Sequence, residues 1–163
     1  MRILGIDPGL RRCGWGVVDH RVGRAGFVAC GVIPPPTDAP MSERLAALHA
    51  GITAVMTEHA PEAAAIEDTF VNANPASALK LGHARAAAML APALAGLSVA
   101  EYGPKIVKQA VTGKGGADKD QVATMVRMLL PGCAATADAA DALAVAICHA
   151  HHAGTRTRMA LGA

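Results

Sequence analysis

This sequence of 163 residues has no apolar segment as long as a membrane span. The longest apolar run, 86–100, is interrupted by Pro92 and Gly96 and falls short of the ~20 residues that a membrane span needs. The apolar segment at the amino terminus is too short for a signal peptide. We therefore expect a cytoplasmic protein that does not associate with membranes.

Paired cysteines and a large excess of one charge are also absent. The four cysteines, at positions 13, 30, 133 and 148, form no Cys-x-x-Cys pair, which argues against a zinc site and a disulfide framework and is typical of a reducing compartment. The net charge of +2 is too small for a protein that coats nucleic acid non-specifically. Any polyanion site must therefore come from local clustering of basic residues.

The remaining composition is that of one globular domain. Hydrophobic residues make up 52% of the chain and charged residues 17%, with no low-complexity tract. A chain of this length can bury about 70% of its unfolded surface. We predict a single domain over 1–153 and a short, loose tail over 154–163.

Apolar runs bounded by proline and glycine predict a mixed α/β sheet with helices on both faces. The predicted strands are 3–6, 15–18, 25–33, 63–66 and 97–102. Helical spacing predicts helices from about 42 to 60, with Ser42 as N-cap, and over 76–95, 104–111, 121–130 and 137–151.

Four acidic residues lie at the ends of these predicted elements. Asp7 ends the first strand, Glu67 ends the fourth, and Asp138 and Asp141 share one face of the last helix. A turn-capping aspartate would explain Asp7, and two solvated acids complementing the helix dipole would explain Asp138 and Asp141. Carboxylates from three separate elements favour a different interpretation, a site for divalent cations.

Converging carboxylates are the ligands that Mg²⁺ takes in proteins, together with water and substrate phosphates. Four of them could hold two ions about 4 Å apart, which stabilises the attacking and leaving oxygens of a phosphodiester. No histidine or lysine general base is then required. The sequence thus predicts a metal-dependent phosphodiesterase site.

Several longer motifs resemble the RuvC crossover-junction endodeoxyribonucleases. The matching stretches are GIDPG at 5–9, IE at 66–67, NPASALKLGHARA at 74–86, VKQAVTGKGGADKDQV at 107–122 and ADAADALAVAICHAH at 137–151. They follow the family's order and spacing over nearly the whole chain, to about residue 152. Asp7, Glu67, Asp138 and Asp141 match the family's four catalytic acids.

This resemblance implies a ribonuclease-H-like fold with a mixed five-stranded sheet. It implies a homodimer that makes symmetric paired nicks in four-way (Holliday) DNA junctions, using Mg²⁺ or Mn²⁺, in homologous recombination and DNA repair. It also implies cooperation with a branch-migration motor of the RuvA–RuvB type.

Candidate DNA contacts come from both the resemblance and the residues themselves. The resemblance implies that Phe70 stacks on a base and that Lys108 and Lys119 bind the DNA backbone. An aromatic in an otherwise polar loop suits base stacking, although it could also be an inward loop anchor. Lys105 and Lys114 extend the same basic segment, which could otherwise be a solvated surface.

The predicted helix over 76–95 carries a stripe of apolar and small residues. Its members are Leu79, Gly82, Ala86 and Leu90. The stripe could be ordinary core, but in the family this helix lies at the dimer interface. A substrate with two equivalent strands also favours a two-fold partner.

Three other functions remain open at this point. Actin-like ATPases and sugar kinases share the opening strand and turn, but they have a hydroxyl-bearing residue where Leu10 stands and about twice this length. A junction-binding module that cuts nothing would be expected to lack an acid, and all four are present. A related branched or RNA-containing substrate also remains open, because fold does not fix substrate.

Overall fold

The computed structural model describes residues 1–21, 23–68 and 74–161, without the side chains from 155 onward. Its sheet has five strands: β1 Arg2–Asp7, β2 Cys13–Arg21, β3 Arg24–Ile33, β4 Ala63–Glu67 and β5 Val99–Tyr102. Their order is β3-β2-β1-β4-β5. The first three strands pair antiparallel, whereas β1, β4 and β5 run parallel, so the predicted mixed five-stranded sheet is confirmed.

Within the described residues, five helices cover the two faces of this sheet. They are α1 Met41–His59, α2 Pro75–Leu94, α3 Pro104–Thr112, α4 Lys119–Leu129 and α5 Ala137–Leu161. One core, between the sheet and helices α1 and α2, buries Leu48 and Ile52. The other contains α5, with α3 and α4 packed against it. The prediction of helices on both faces is therefore confirmed.

Strand alternation along β1 determines which face Asp7 occupies. Leu4 and Ile6 are fully buried in the core below α1 and α2, whereas Ile3 is buried in the core of α5. Side chains two residues apart lie on the same face of a strand. Asp7 therefore follows Ile3 and Gly5 on the face that α5 covers.

Glycines allow α5 to lie directly on the backbone of β1 and β2. A Cβ at Gly5 would overlap the carbonyl oxygen of Ala142, and one at Gly14 would overlap the carbonyl oxygen of Asp138. Gly14 is the antiparallel partner of Asp7. Because these glycines have no side chain, the first turns of α5 and their acidic residues lie close to the end of β1.

Three predicted helix boundaries are wrong. Helix α1 begins at Met41, and its N-cap is Pro40, without a side-chain cap, so Ser42 lies inside the first turn. Helix α4 begins at Lys119 rather than Gln121, because Asp118 is its N-cap and forms a capping box with Gln121 in the first turn.

The third wrong boundary is the end of the last helix, which was expected near residue 151. Helix α5 continues to Leu161. Residues 152–161 contain no proline, and Gly154 is their one glycine, so little in the sequence stops the helix. The division into a domain and a loose tail at residue 154 stays a prediction.

Candidate active site

Three of the four predicted acids line one cleft. Because β1 and β4 are parallel neighbours, Asp7 and Glu67 end at the same edge of the sheet. Asp141 reaches that edge from α5, and all three side chains line a cleft of about 200 Å³. Lys108 and Lys119, which the resemblance implied, line it too. The structure thus brings together five of the predicted site residues.

The carboxylates of this cleft, which we call the acid cleft, disfavour one another's charge. Burial, together with the negative charges of Glu67 and Asp141, raises the pKa of Asp7 to about 7. Burial and then the charge of Asp141 also raise the pKa of Glu67. A positive charge in the acid cleft would therefore stabilise these carboxylates.

Lys119 supplies part of that charge. Its Nζ lies 3.2 Å from Oδ2 of Asp141, and this carboxylate raises the pKa of the lysine. In return the ammonium of Lys119 opposes the rise in the pKa of both Asp7 and Glu67. Lys108 acts in the same direction on Glu67.

Asp138 is the predicted acid that does not line the acid cleft. Its Oδ2 accepts a hydrogen bond from Nε of Arg12 at 2.5 Å. The side chain lines a neighbouring pocket instead. Its charge still contributes to the raised pKa of Asp7, although less than burial, Glu67 and Asp141 do. The expectation that four acids converge is therefore met by three, since Arg12 attracts the fourth.

The donor set of the acid cleft suits a hard divalent cation. Carboxylate oxygens are the ligands that Mg²⁺ takes, and their mutual repulsion here is what a cation would relieve. Within the residues the structure describes, no three acidic, histidine or cysteine side chains are placed close enough together to hold an ion. Mg²⁺ also binds through one or two carboxylates, with waters and substrate phosphates completing its ligand set.

The other predicted DNA contacts lie outside the acid cleft or outside the described residues. Lys105 and Lys114 are exposed on α3 and on the loop after it. Phe70 falls in 69–73, outside the described residues. The roles of these three residues stay predictions.

The stripe on α2 is exposed, so its alternative interpretation as core is wrong. Leu79 is 63% exposed and Leu90 is 50% exposed, and Gly82 and Ala86 are exposed between them. The buried face of α2 carries alanines instead, at 84, 88 and 91. The dimer interface itself stays a prediction.

Sequence reasoning missed two arginines that hold the acids. One is Arg12. The other is Arg85, whose Nε donates to the carbonyl oxygen of Glu67 at 3.3 Å and whose Nη2 pairs with Glu101 and, at 3.4 Å, with Asp68. A lone arginine in the Ala-rich helix α2 was the available signal. Arg85 positions the end of β4 and hence Glu67.

No helix in the described ranges 1–21, 23–68 and 74–161 has the length and apolar character that crossing a lipid bilayer requires.

Comparisons with known proteins agree over nearly the whole chain. Residues 3–149 match the family described as crossover junction endodeoxyribonuclease RuvC. The RuvC of Maricaulis maris is 64% identical over 152 residues, which cover 93% of this chain and 92% of that protein. The structure of Thermus thermophilus RuvC is 37% identical, with a TM-score of 0.85, covering 96% of this chain and 98% of that one.

A second structure, T. thermophilus RuvC in complex with Holliday junction substrate, is 38% identical with a TM-score of 0.87 and covers 96% of this chain and 97% of that one. The strand order, the helices on both faces and the match to both structures define a ribonuclease-H-like α/β protein. The chain belongs to the RuvC family of crossover junction endodeoxyribonucleases. The reaction class is that of a nuclease, a hydrolase, and the kinase alternative is rejected.

Proposed function

We propose that this chain is a Holliday junction resolvase that hydrolyses phosphodiester bonds at the acid cleft. The observation that carries the proposal is the meeting of Asp7, Glu67 and Asp141, from three separate elements, in one cleft with two lysines. A solved relative in this family is bound to a Holliday junction substrate. Four-way junction DNA is accordingly the proposed substrate.

Asp7, Glu67, Asp138 and Asp141 would hold two Mg²⁺ or Mn²⁺ ions. When bound, such ions would supply activation of water and stabilisation of the departing 3′ oxygen. A bound cation would favour the charged form of Asp7, whose pKa burial and the charges of Glu67 and Asp141 raise to about 7. Asp7 interacts electrostatically with all three of the other acids, so its removal is the most direct test of the set.

The lysines bind and orient the scissile phosphate. Lys108 and Lys119 line the same cleft as the acids, so an oxygen of the phosphate that accepts from their ammonium groups is held next to Asp7. Lys105 and Lys114 extend the positive surface along the strand. Phe70 stacks on a base near the branch point.

Paired nicks require two acid clefts that are held at a fixed distance and orientation to each other. The exposed stripe of α2, at Leu79, Gly82, Ala86 and Leu90, supports a two-fold homodimer because an apolar helix face of this kind favours a partner. Two symmetric sites would then cut two equivalent strands. Coupling to a RuvA–RuvB motor, a role in recombination and repair, and a cytoplasmic location remain predictions from the sequence.

The substrate assignment is tested with a mobile four-way junction and a linear duplex of the same sequence. The protein is incubated with each in Mg²⁺, in Mn²⁺ and in EDTA, and the nicked strands are mapped on denaturing gels. We expect paired nicks at symmetric positions that ligase reseals, only with a divalent cation and only in the junction. Equal cutting of both DNAs would reject the substrate, and junction binding without cutting would favour a binding module.

A further inference from the structure

A second pocket, of about 560 Å³, lies between the turn after β1 and helices α1 and α2. Among the residues that the structure describes, its lining includes four basic side chains, Arg11, Arg12, Arg44 and Lys80, and one acid, Asp138. We call it the basic pocket. Because Asp138 stands three residues before Asp141 on α5, the basic pocket adjoins the acid cleft. Four positive charges against one favour an anion.

The hydrogen bonds and ion pairs of the basic residues also favour an anion. Nη2 of Arg44 donates to the carbonyl oxygen of Leu10 at 2.7 Å. Its Nε is buried without a partner in the part of the chain that the structure describes, which is costly for a charged group. Arg11 and Lys80 are exposed and make no ion pair with another described residue. The basic pocket therefore contains positive charges that no described acid neutralises.

Arg12 connects the basic pocket to the acid cleft. Its side chain is 56% exposed, and its Nε holds Asp138 at 2.5 Å. A phosphate oxygen, like a carboxylate oxygen, accepts a charge-assisted hydrogen bond from an arginine. An occupant of the basic pocket would therefore compete with Asp138 for this arginine.

We propose that the basic pocket binds a backbone phosphate of the nucleic-acid substrate. This phosphate replaces Asp138 as the hydrogen-bond partner of Arg12, and the carboxylate of Asp138 then turns toward the acid cleft. The identity of the nucleic acid rests on the proposed function, whereas the phosphate chemistry does not. Substrate binding thereby helps to complete the set of four acids. Asp138 is withheld from the acid cleft until a strand is bound.

The phosphate contact is tested by binding in EDTA, with fluorescence anisotropy over a salt series, on both junction and linear duplex. Lys80→Gln and Arg12→Gln are compared with Arg24→Gln, which removes an exposed positive charge at the opposite end of the sheet. We expect each pocket variant to weaken binding about tenfold and to reduce the salt slope by about 1. Pocket variants that behave like Arg24→Gln on both DNAs would overturn the contact.

The competition for Arg12 is tested without nucleic acid, by measuring Mn²⁺ affinity with electron paramagnetic resonance. Arg12→Gln frees Asp138, so we expect it to bind Mn²⁺ about fivefold more tightly than the wild type. The same substitution in an Asp138→Asn background should change nothing. An unchanged affinity in Arg12→Gln, or an equal change in the Asp138→Asn background, would overturn the competition.

These outcomes separate the two proposals. If the wild type shows no preference for the junction, the proposed substrate fails, yet a lower affinity of Lys80→Gln for linear duplex still supports the basic pocket. If the junction is cut but the pocket variants match Arg24→Gln, the basic pocket fails alone.

Discussion

The ammonium of Lys119 on α4 lies 3.2 Å from the carboxylate of Asp141 on α5, so the protein itself contributes a cation to the acid cleft. Lys119 is the first residue of α4 and directly follows the N-cap, Asp118. The capping box therefore fixes the start of α4 and, with it, the position of the Lys119 ammonium. A local rule of helix initiation thus positions a charge at the candidate active site.

Replacing the N-cap tests this link. Asp118→Ala removes the oxygen that accepts from the backbone N–H of Gln121 at 2.8 Å. We expect a loss of about 0.5–2 kcal/mol in the free energy of unfolding, measured by urea denaturation, and slower junction cleavage. Asp120→Ala is the matched control, since Asp120 is a neighbouring acid that does not cap the helix. Equal effects of the two variants would contradict the link.

The pKa of Asp7 predicts a pH dependence of stability. Between its ordinary value of 3.8 and about 7, the folded carboxyl keeps a proton that the unfolded chain has lost. Unfolding free energy should therefore fall as pH rises through this window, by roughly 4 kcal/mol at most. Asp7→Asn replaces the carboxyl with an amide that does not ionise, so its profile in EDTA should lack this component of the fall. Parallel profiles for the two proteins, measured by urea denaturation from pH 4 to 8, would disprove the shift.

The close approach of α5 to the sheet predicts the cost of a single methyl group. Gly14→Ala forces a Cβ into the carbonyl oxygen of Asp138, so we expect a loss of at least about 1–3 kcal/mol and displaced acids. Gly26→Ala is the control, because a Cβ there would meet nothing nearer than 3.8 Å. Thermal denaturation measures the difference, and equal melting temperatures would be inconsistent with the packing described.

The exposed stripe of α2 predicts a variant that is folded but monomeric. Leu79→Glu places a charge on a side chain that is 63% exposed, so the monomer should keep its stability. Met128→Glu, on α4, alters a residue that is 69% exposed and lies outside the stripe. Sedimentation equilibrium should show a monomer for Leu79→Glu and a dimer for Met128→Glu. A dimer in both would exclude this stripe as the interface.

The sequence predicted the sheet because its apolar runs are short and bounded by proline and glycine. Helix ends were less predictable. Ser42 has the chemistry of an N-cap, but the chain already turns into the helix at Pro40. The boundary of α4 could have been found, since Asp118 and Gln121 have the spacing of a capping box.

The acid cleft was predictable to the extent that strand ends and helix spacing determine it. Asp7 and Glu67 end neighbouring parallel strands, and parallel strands bring their carboxyl ends together. The direction of Asp138 was not predictable, because it depends on a contact with Arg12 across 126 positions of the chain. Helical spacing predicts the face of the helix on which a side chain lies, but it does not predict which distant residue the side chain contacts.

The central claim is that the acid cleft hydrolyses the junction, and Asp7→Asn tests it most directly. Wild type and variant are incubated with a mobile four-way junction in Mg²⁺, in Mn²⁺ and in EDTA, then run on native and denaturing gels. We expect metal-dependent paired nicks from the wild type, and junction binding without nicks from Asp7→Asn. Nicking by Asp7→Asn at the wild-type rate would contradict the assignment of catalysis to this cleft.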